Sequence, residues 1–430
     1  MSWDLALYAL LGLLVLLGGG VWIAISLFIA GFALIRFGLD MPSGPILATS
    51  TWGYVNNWTL TALPLFVWMG ELLFRSRLSE YLFMSLAPWM RNLPGGLLHL
   101  NVFGCGIFSA VSGSSTATTT TIGKMTLPKL QAAGYNETMS IGSLAASGTF
   151  GLLVPPSGMM IVYAFITETS VIKLFSAGIL PAVMMALLFS AFIGIRALLN
   201  PSMAPRDTSD LPLGQKLALT RHFLPMLLLI AGLMVAMYRG WATATEAAAL
   251  GVLGALILLA ATGGLTWQLL KDATLASVRT SCMILFVLAG AAFMTIAIGF
   301  SGLPDAIAAK INALGLSPIV LIVALTLLYG VLGLFLDGLS MIVLTASTVI
   351  PMVEAAGIDP VWFGIYVVIV VEMSLITPPV GLNLFVLQAI SGHDSLKVAR
   401  AAFPYFLLMV ASIALLTVFP EIALYLPGRL

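Results

Sequence analysis

Apolar runs close to membrane-spanning length follow one another from Leu5 to Leu426, with few charged residues inside them. Such a chain cannot cover its surface in water: 8% of its 430 residues are charged, against about 25% in soluble domains. The bilayer is therefore its solvent, and each crossing has to satisfy its backbone hydrogen bonds internally, as helix. The class that follows is an all-α polytopic membrane protein. A formal net charge of +1 excludes nucleic acid as a partner held by charge. Cys105 and Cys282 lack metal-ligand spacing, and His99, His222 and His393 are scattered. The start, Met1-Ser2-Trp3-Asp4, has neither a basic n-region nor a cleavage motif, so the first run is expected to remain as a span.

With roughly 20 residues needed per span, spans are expected near 3–18, 20–36, 52–73, 138–166, 175–198, 223–238, 245–262, 282–300, 361–390 and 403–425. Two stretches, 93–131 and 316–353, are apolar but interrupted midway, and each is expected to enter and return on the same side as a re-entrant hairpin. With the N-terminus outside, thirteen of the 18 Lys and Arg fall inside, among them Arg75, Arg77, Arg91, Lys124, Lys129, Arg279 and Lys397. The five outside are Arg36, Lys173, Arg239, Lys310 and Arg429. That bias obeys the positive-inside rule and puts both termini outside. Residues 199–222 form the expected cytoplasmic linker between halves, while 74–92, 263–280 and 303–315 suit interfacial arms.

The halves repeat. Pro128, Ala132, Ala133 and Gly134 recur 223 residues later as Pro351, Ala355, Ala356 and Gly357. The same offset carries Pro155, Pro156 and Gly158 onto Pro378, Pro379 and Gly381, and Pro181 onto Pro404. Upstream, Leu65-Phe66-Val67 with Gly70 recurs as Leu285-Phe286-Val287 with Gly290. An odd number of spans between the copies inverts the second. Inverted repeats with broken helices belong to secondary transporters, whose site lies at the repeat interface.

Four segments carry the chemistry. Ser109 to Thr121 forms the tip of the first hairpin; Gly113 lets the backbone turn, and the hydroxyls of Ser112, Ser114 and Ser115 offer oxygen ligands to a hard cation. The return helix points its N-terminus at the same place, where an anion is favoured. For Thr118 to Thr121 close helix packing competes with a ligand role. In the second segment, Ser147 to Gly158, the adjacent Pro155 and Pro156 remove two donors and strip the carbonyls of Gly151 and Leu152 of helical partners. The third is the tip Gly333 to Ser340, where Asp337 stands as cation ligand or proton carrier, a role compatible with capping the next helix. The fourth, Glu372 to Asn383, mirrors the second: Pro378 and Pro379 free the carbonyls of Ser374 and Leu375, and Asn383 can donate to a substrate oxygen. Glu372 is open to two readings, a group facing the interior or a scaffold hydrogen-bond partner. Glu71 and Glu246 are assigned to packing or interface anchoring.

These segments make the chain resemble the large membrane subunit, M or DctM type, of TRAP (tripartite ATP-independent periplasmic) transporters. The resemblance rests on the Ser-Gly-Ser-Ser tip, Pro-Lys-Leu-x-x-x-Gly-Tyr from Pro128 to Tyr135, Val-Pro-Pro-Ser-Gly, Phe-Leu-Asp-Gly and Ile-Thr-Pro-Pro-Val-Gly-Leu-Asn-Leu-Phe, and it covers almost the whole chain. It implies an inverted-repeat elevator in the bacterial inner membrane, importing an organic acid such as a C4-dicarboxylate or sialic acid with Na+ as coupling ion and no organic cofactor. It implies two partners, a periplasmic substrate-binding protein and a small four-helix Q subunit, the latter expected as a separate chain. The implied Na+ sites are Ser112, Gly113, Ser114 and Ser115 with Gly151 and Leu152, and Phe335, Asp337 and Gly338 with Ser374 and Thr377. The substrate is expected against Ser115, Thr116, Pro155, Pro156, Ser157, Pro378, Pro379 and Asn383. The division that follows gives 1–92 to scaffold and arm, 93–174 and 316–402 to the transport halves, and 175–315 with 403–430 to scaffold. No Arg or Lys is expected at midplane depth in either hairpin or broken helix, so a carboxylate must be balanced there by Na+, helix ends and hydroxyls.

Two other functions compete. A stand-alone Na+/carboxylate symporter would need neither partner. An intramembrane serine protease would pair Ser114 with His99, leaving the inverted repeat unexplained. No G-x-x-x-x-G-K-[ST] motif occurs, so this chain does not hydrolyse ATP through a P-loop.

Overall fold

The computed structural model describes residues 8, 11–13, 15–76, 78–205, 211–221, 223–303, 306, 309, 317–334, 336–378 and 381–430. Among the described residues the chain is helical, with no strand. After helical residues at 11–13 and 15–18 come α1 (Ile23–Ala33), α2 (Ser43–Val55), α3 (Ala62–Phe74) and α4 (Leu78–Met90). The first hairpin is α5 (Leu98–Ser112) and α6 (Ser115–Ala132), followed by a helix broken into α7 (Glu137–Ser147) and α8 (Gly158–Ile166). Then come α9 (Val171–Leu199), α10 (Leu213–Thr220), α11 (Leu224–Tyr238), α12 (Ala244–Ala261) and α13 (Trp267–Phe300). The second hairpin is α14 (Pro318–Leu332) and α15 (Gly338–Ala355), the second broken helix α16 (Pro360–Ser374) and α17 (Leu382–Ser391), and α18 (Ser395–Val418) and α19 (Glu421–Leu424) close the chain.

The duplication extends to the helix boundaries. α6 and α15 have 18 residues each and begin 223 positions apart. Their caps match as well: the Ser114 side chain accepts from the Ala117 N–H and Asp337 from that of Ser340. At the next start Asn136 accepts from Met139 N–H, and its counterpart Asp359 accepts from Val361 and Trp362. Each cap takes up an N–H that the first turn leaves without a helical acceptor.

Helix lengths depart from the expected spans. Among the described residues four helices are long and apolar enough to cross a membrane alone, six if each bent pair counts as one span. The runs at 138–166 and 361–390 are broken, as expected, because Pro155, Pro156 and Pro378 interrupt them. The expected arm at 263–280 is not a separate element: with span 282–300 it forms the single α13, 34 residues and about 51 Å long. Thr266 caps that helix and neither glycine nor proline interrupts it before Gly290. Much of span 3–18 and of arm 303–315 lies outside the described residues.

Two packing groups result, meeting where α13 packs on α15 and α3 on α5 and α8. α13 lies along α1, α2 and α3, and α12 packs on α3 and α11. In the other group each broken helix passes its second half to the opposite repeat: α17 packs on α6, and α8 packs on α15. The expected division left α9 and most of α18 with the scaffold. Instead α18 packs along α7, and α9 lies against α16, α18 and α5, so both long helices sit with the hairpin group. Phe189 of α9 stacks on Phe150 beside the first break and meets Tyr405 of α18 edge to face.

Candidate functional site

α5 ends because Gly113 adopts a left-handed φ of 56°, and two residues later α6 begins. Within this tip the Ser112 hydroxyl donates to Ser114 O at 3.2 Å, accepts from the Ser114 N–H at 3.3 Å and lies 2.7 Å from Thr118 Oγ1. The tip sits directly on the first break. A Cβ at Gly151 would collide with the backbone of Ser114 and Ser115, so glycine is what permits the contact. Gly151 ends a short 3-10 turn, Gly148–Gly151.

The break is only partly as expected. Among the described residues no hydrogen bond reaches the Gly151 carbonyl, whereas that of Leu152 accepts the Ser157 hydroxyl at 2.6 Å. Pro155 and Pro156, joined by a cis peptide, face different ways: Pro156 lines the cavity at the tip, and Pro155 an apolar pocket against α9 and α11. Ser157 is fully buried.

The second tip repeats the plan. Asp337 caps α15, accepting from the Ser340 N–H at 3.3 Å and from the Ser340 hydroxyl. Gly338 packs on Val371, and Gly333 on Ser374, which brings this tip against α16. Around the second break the carbonyls expected to be free are taken: Ser374 O accepts Thr377 N–H and Leu375 O accepts Asn383 N–H, both at 3.1 Å. The Ser374 and Thr377 hydroxyls donate to Val371 O and Met373 O at 2.6 and 2.7 Å. Pro378 is exposed and lines no part of the cavity at the tips. Phe335 and Pro379 lie outside the described residues.

Both tips open on one cavity of about 250 Å³. Ser112 to Ala117 and Asp337 to Leu339 form one side with Leu152, Pro156, Leu375 and Leu382. The other side comes from α3 and α13, through Phe66, Gly70, Glu71, Phe74, Thr280 and Met283. Asp337, Leu339, Met283 and Ile284 also border a larger, mainly apolar cavity of about 1370 Å³.

Asn383 is not on this surface. Fully buried, it accepts the Ser115 hydroxyl at 3.1 Å and donates to Ala145 O at 3.3 Å, so its amide ties the first tip to both broken helices. Glu372 is also fully buried, with the Thr149 hydroxyl and the Leu153 backbone beside it, and among the described residues neither carboxylate oxygen has a hydrogen-bond partner. At the repeat offset of 223, Glu372 corresponds to Thr149, so the two equivalent positions face each other where the repeats meet.

The α3 and α13 wall was missed in the sequence. Glu71, assigned there to packing, lies on it and accepts from Arg75 Nε at 2.9 Å. One signal was available: Gly70 belongs to the repeated Leu-Phe-Val motif, and it lies against the carbonyls of Val111 and Ser112. The Ser–His reading fails on geometry. His99 hydrogen-bonds Pro94 O at 2.7 Å near the start of α5, whereas Ser114 lies 15 residues on, about 22 Å along the helix. Among the described residues no three His, Cys, Asp or Glu side chains converge on a metal position.

Sequence comparison matches the family described as "Tripartite ATP-independent periplasmic transporter, DctM component" over residues 10–422. The C4-dicarboxylate TRAP transporter large permease protein DctM of Pseudomonas aeruginosa is 33% identical over 376 residues, 87% of each chain. The sialic acid TRAP transporter large permease protein SiaM of Vibrio cholerae is 29% identical, again over 87% of each chain. The fold is similar to that of the YdaH transporter of Alcanivorax borkumensis, with a TM-score of 0.61 and 17% identity over 87% of both chains. With two duplicated hairpins, two broken helices and a family match along nearly its full length, the chain belongs to the DctM family of TRAP transporter large membrane subunits.

Proposed function

We propose that this chain carries an organic acid into the cell together with Na+, by an elevator movement of the hairpin group against α1–α3 and α11–α13. The observation that carries the proposal is the split cavity: one side comes from the two tips and the other from helices of a different packing group. Cargo bound to the tips would travel with them while the opposite wall stays, as alternating access requires. Oxygen atoms suited to Na+ surround both tips. The Gly151 carbonyl is unclaimed and abuts Ser114 and Ser115; Leu152 O has a second lone pair; Asp337, Gly338, Ser374 and Thr377 supply the other site. A carboxylate would lie at the N-terminus of α6, against Ser115, Thr116 and Pro156, where helix dipole and N–H groups favour an anion.

Relatives are named for C4-dicarboxylates, sialic acid and ectoine. We assign the same broad class here, delivered by a periplasmic binding protein to a complex with a separate Q subunit in the bacterial inner membrane. The charge bias sets Arg75 and Arg279 on the cytoplasmic side. Glu71 and Thr280, which line the cavity, adjoin these residues on α3 and α13, so the tips stand toward the cytoplasm.

The test is uptake of labelled succinate and N-acetylneuraminate into proteoliposomes holding this chain with its Q partner. Uptake is compared with and without an inward Na+ gradient, and with and without the binding protein. Uptake that needs both supports the proposal. Uptake on Na+ alone identifies a stand-alone symporter, and uptake indifferent to Na+ removes the coupling.

A further inference from the structure

Glu71 is an unexpected acid for a site that carries an anion. The charged side chains that line the cavity, among the described residues, are Glu71 and Asp337. Asp337 is on a tip and would move with it; Glu71 is across the gap on α3, in the last turn before that helix ends at Arg75. The contact between Gly70 and the Val111 and Ser112 carbonyls brings this turn directly against the first tip. Arg75 Nε holds Glu71 Oε2 at 2.9 Å but does not itself line the cavity; a quarter of the Glu71 side chain remains exposed. A fixed charge on one wall of a sliding interface acts on cargo in only one position of the slide, here the one next to the cytoplasm.

We propose that Glu71 is the release residue: its carboxylate lowers the affinity of the cytoplasm-facing site for anionic cargo, and Arg75 sets how much of that charge the cargo feels. The proposal rests on the import reading above. Its distinguishing feature is sign. Without the Glu71 charge, Arg75 stands uncompensated beside the cavity and retains anions. Without the Arg75 charge, Glu71 stands uncompensated and expels them. An ion pair that only held α3 together would be broken equally by either change.

Local potential can be read without knowing the cargo. Thr116 is exposed and lines the cavity, and Thr116→Cys supplies a thiol there. The background is Cys282→Ser; Cys105 is buried and stays. In the full chain, the rate of modification by anionic sulfonatoethyl methanethiosulfonate is divided by that for cationic trimethylammonioethyl methanethiosulfonate. Adding Glu71→Gln should raise the ratio about threefold and adding Arg75→Gln should lower it by a similar factor, as expected for one unit charge at the edge of a partly hydrated cavity. For whichever of succinate and N-acetylneuraminate is imported, Glu71→Gln should also let internal acid inhibit uptake at about one-third of the wild-type concentration. Ratios that shift the same way in both variants, or do not shift, while the wild-type protein shows Na+-driven uptake, overturn the proposal alone. Wild-type protein without Na+-driven uptake overturns the import reading and this proposal together.

Discussion

At the scale of single residues, the two tips make different demands. Asp337 combines a cap with a carboxylate exposed to two cavities. Asp337→Asn keeps a cap acceptor, so the protein should fold and elute normally, while Na+-driven uptake falls at least tenfold; wild-type Na+ dependence would remove Asp337 from the site. Gly151 has no such latitude. Gly151→Ala pushes a methyl group into the Ser114–Ser115 backbone and should cost about 1–3 kcal/mol, in the range of overpacked cores, read as a lower melting temperature in detergent together with lost uptake. Residue types at the tips were legible because Ser-Gly-Ser-Ser and an intramembrane Asp make poor lipid-facing helix. The role of Asn383 was not. A polar residue in an apolar run does not say what it bonds, and the cross-tie depends on Ser115 and Ala145, far off in sequence.

Elements were legible where glycine and proline punctuate them. Both hairpins and both breaks stand where those residues fall, but the long α13 did not announce itself, since its polar first half resembles an interfacial arm while the backbone runs on unbroken. Element ends also carry a connection between halves. Glu137, at the start of α7, accepts from Lys397 at 2.9 Å and lies 2.5 Å from His393, both near the start of α18. Hydrogen bonds from His393 and then Lys397 lower the Glu137 pKa. A carboxyl depressed in the folded state contributes stability above its unfolded pKa, about 4.3 for Glu, and loses that contribution as pH falls through the depressed value. The melting temperatures of wild type and Glu137→Gln should therefore differ at neutral pH and converge as pH falls through the depressed carboxyl pKa. Because the cluster is largely exposed, the difference should be small.

For the whole molecule, the duplication was plain in eight matched positions, while the interlocking of its halves was not. α17 lies on α6 and α8 on α15, so each repeat completes the other's hairpin. Residues 1–205 and 211–430, expressed separately, should each give little monodisperse protein in detergent extracts, whereas co-expression should restore a stable complex; a well-behaved single half would contradict the interlock. The sequence also placed both long helices with the scaffold. Their aromatic contacts in the hairpin group come from residues that, taken alone, look like ordinary lipid-facing Phe and Tyr.

The Ser115–Asn383 bond joins positions 268 residues apart. Neither partner is replaceable by itself without leaving a buried amide or hydroxyl unmatched. Lineages that drift at one position should therefore have drifted at the other, and across a deep set of relatives this pair should be among the strongest long-range covariations. Independent variation at the two positions would mean that the tie is dispensable, and that the first tip is held to the second repeat by packing alone.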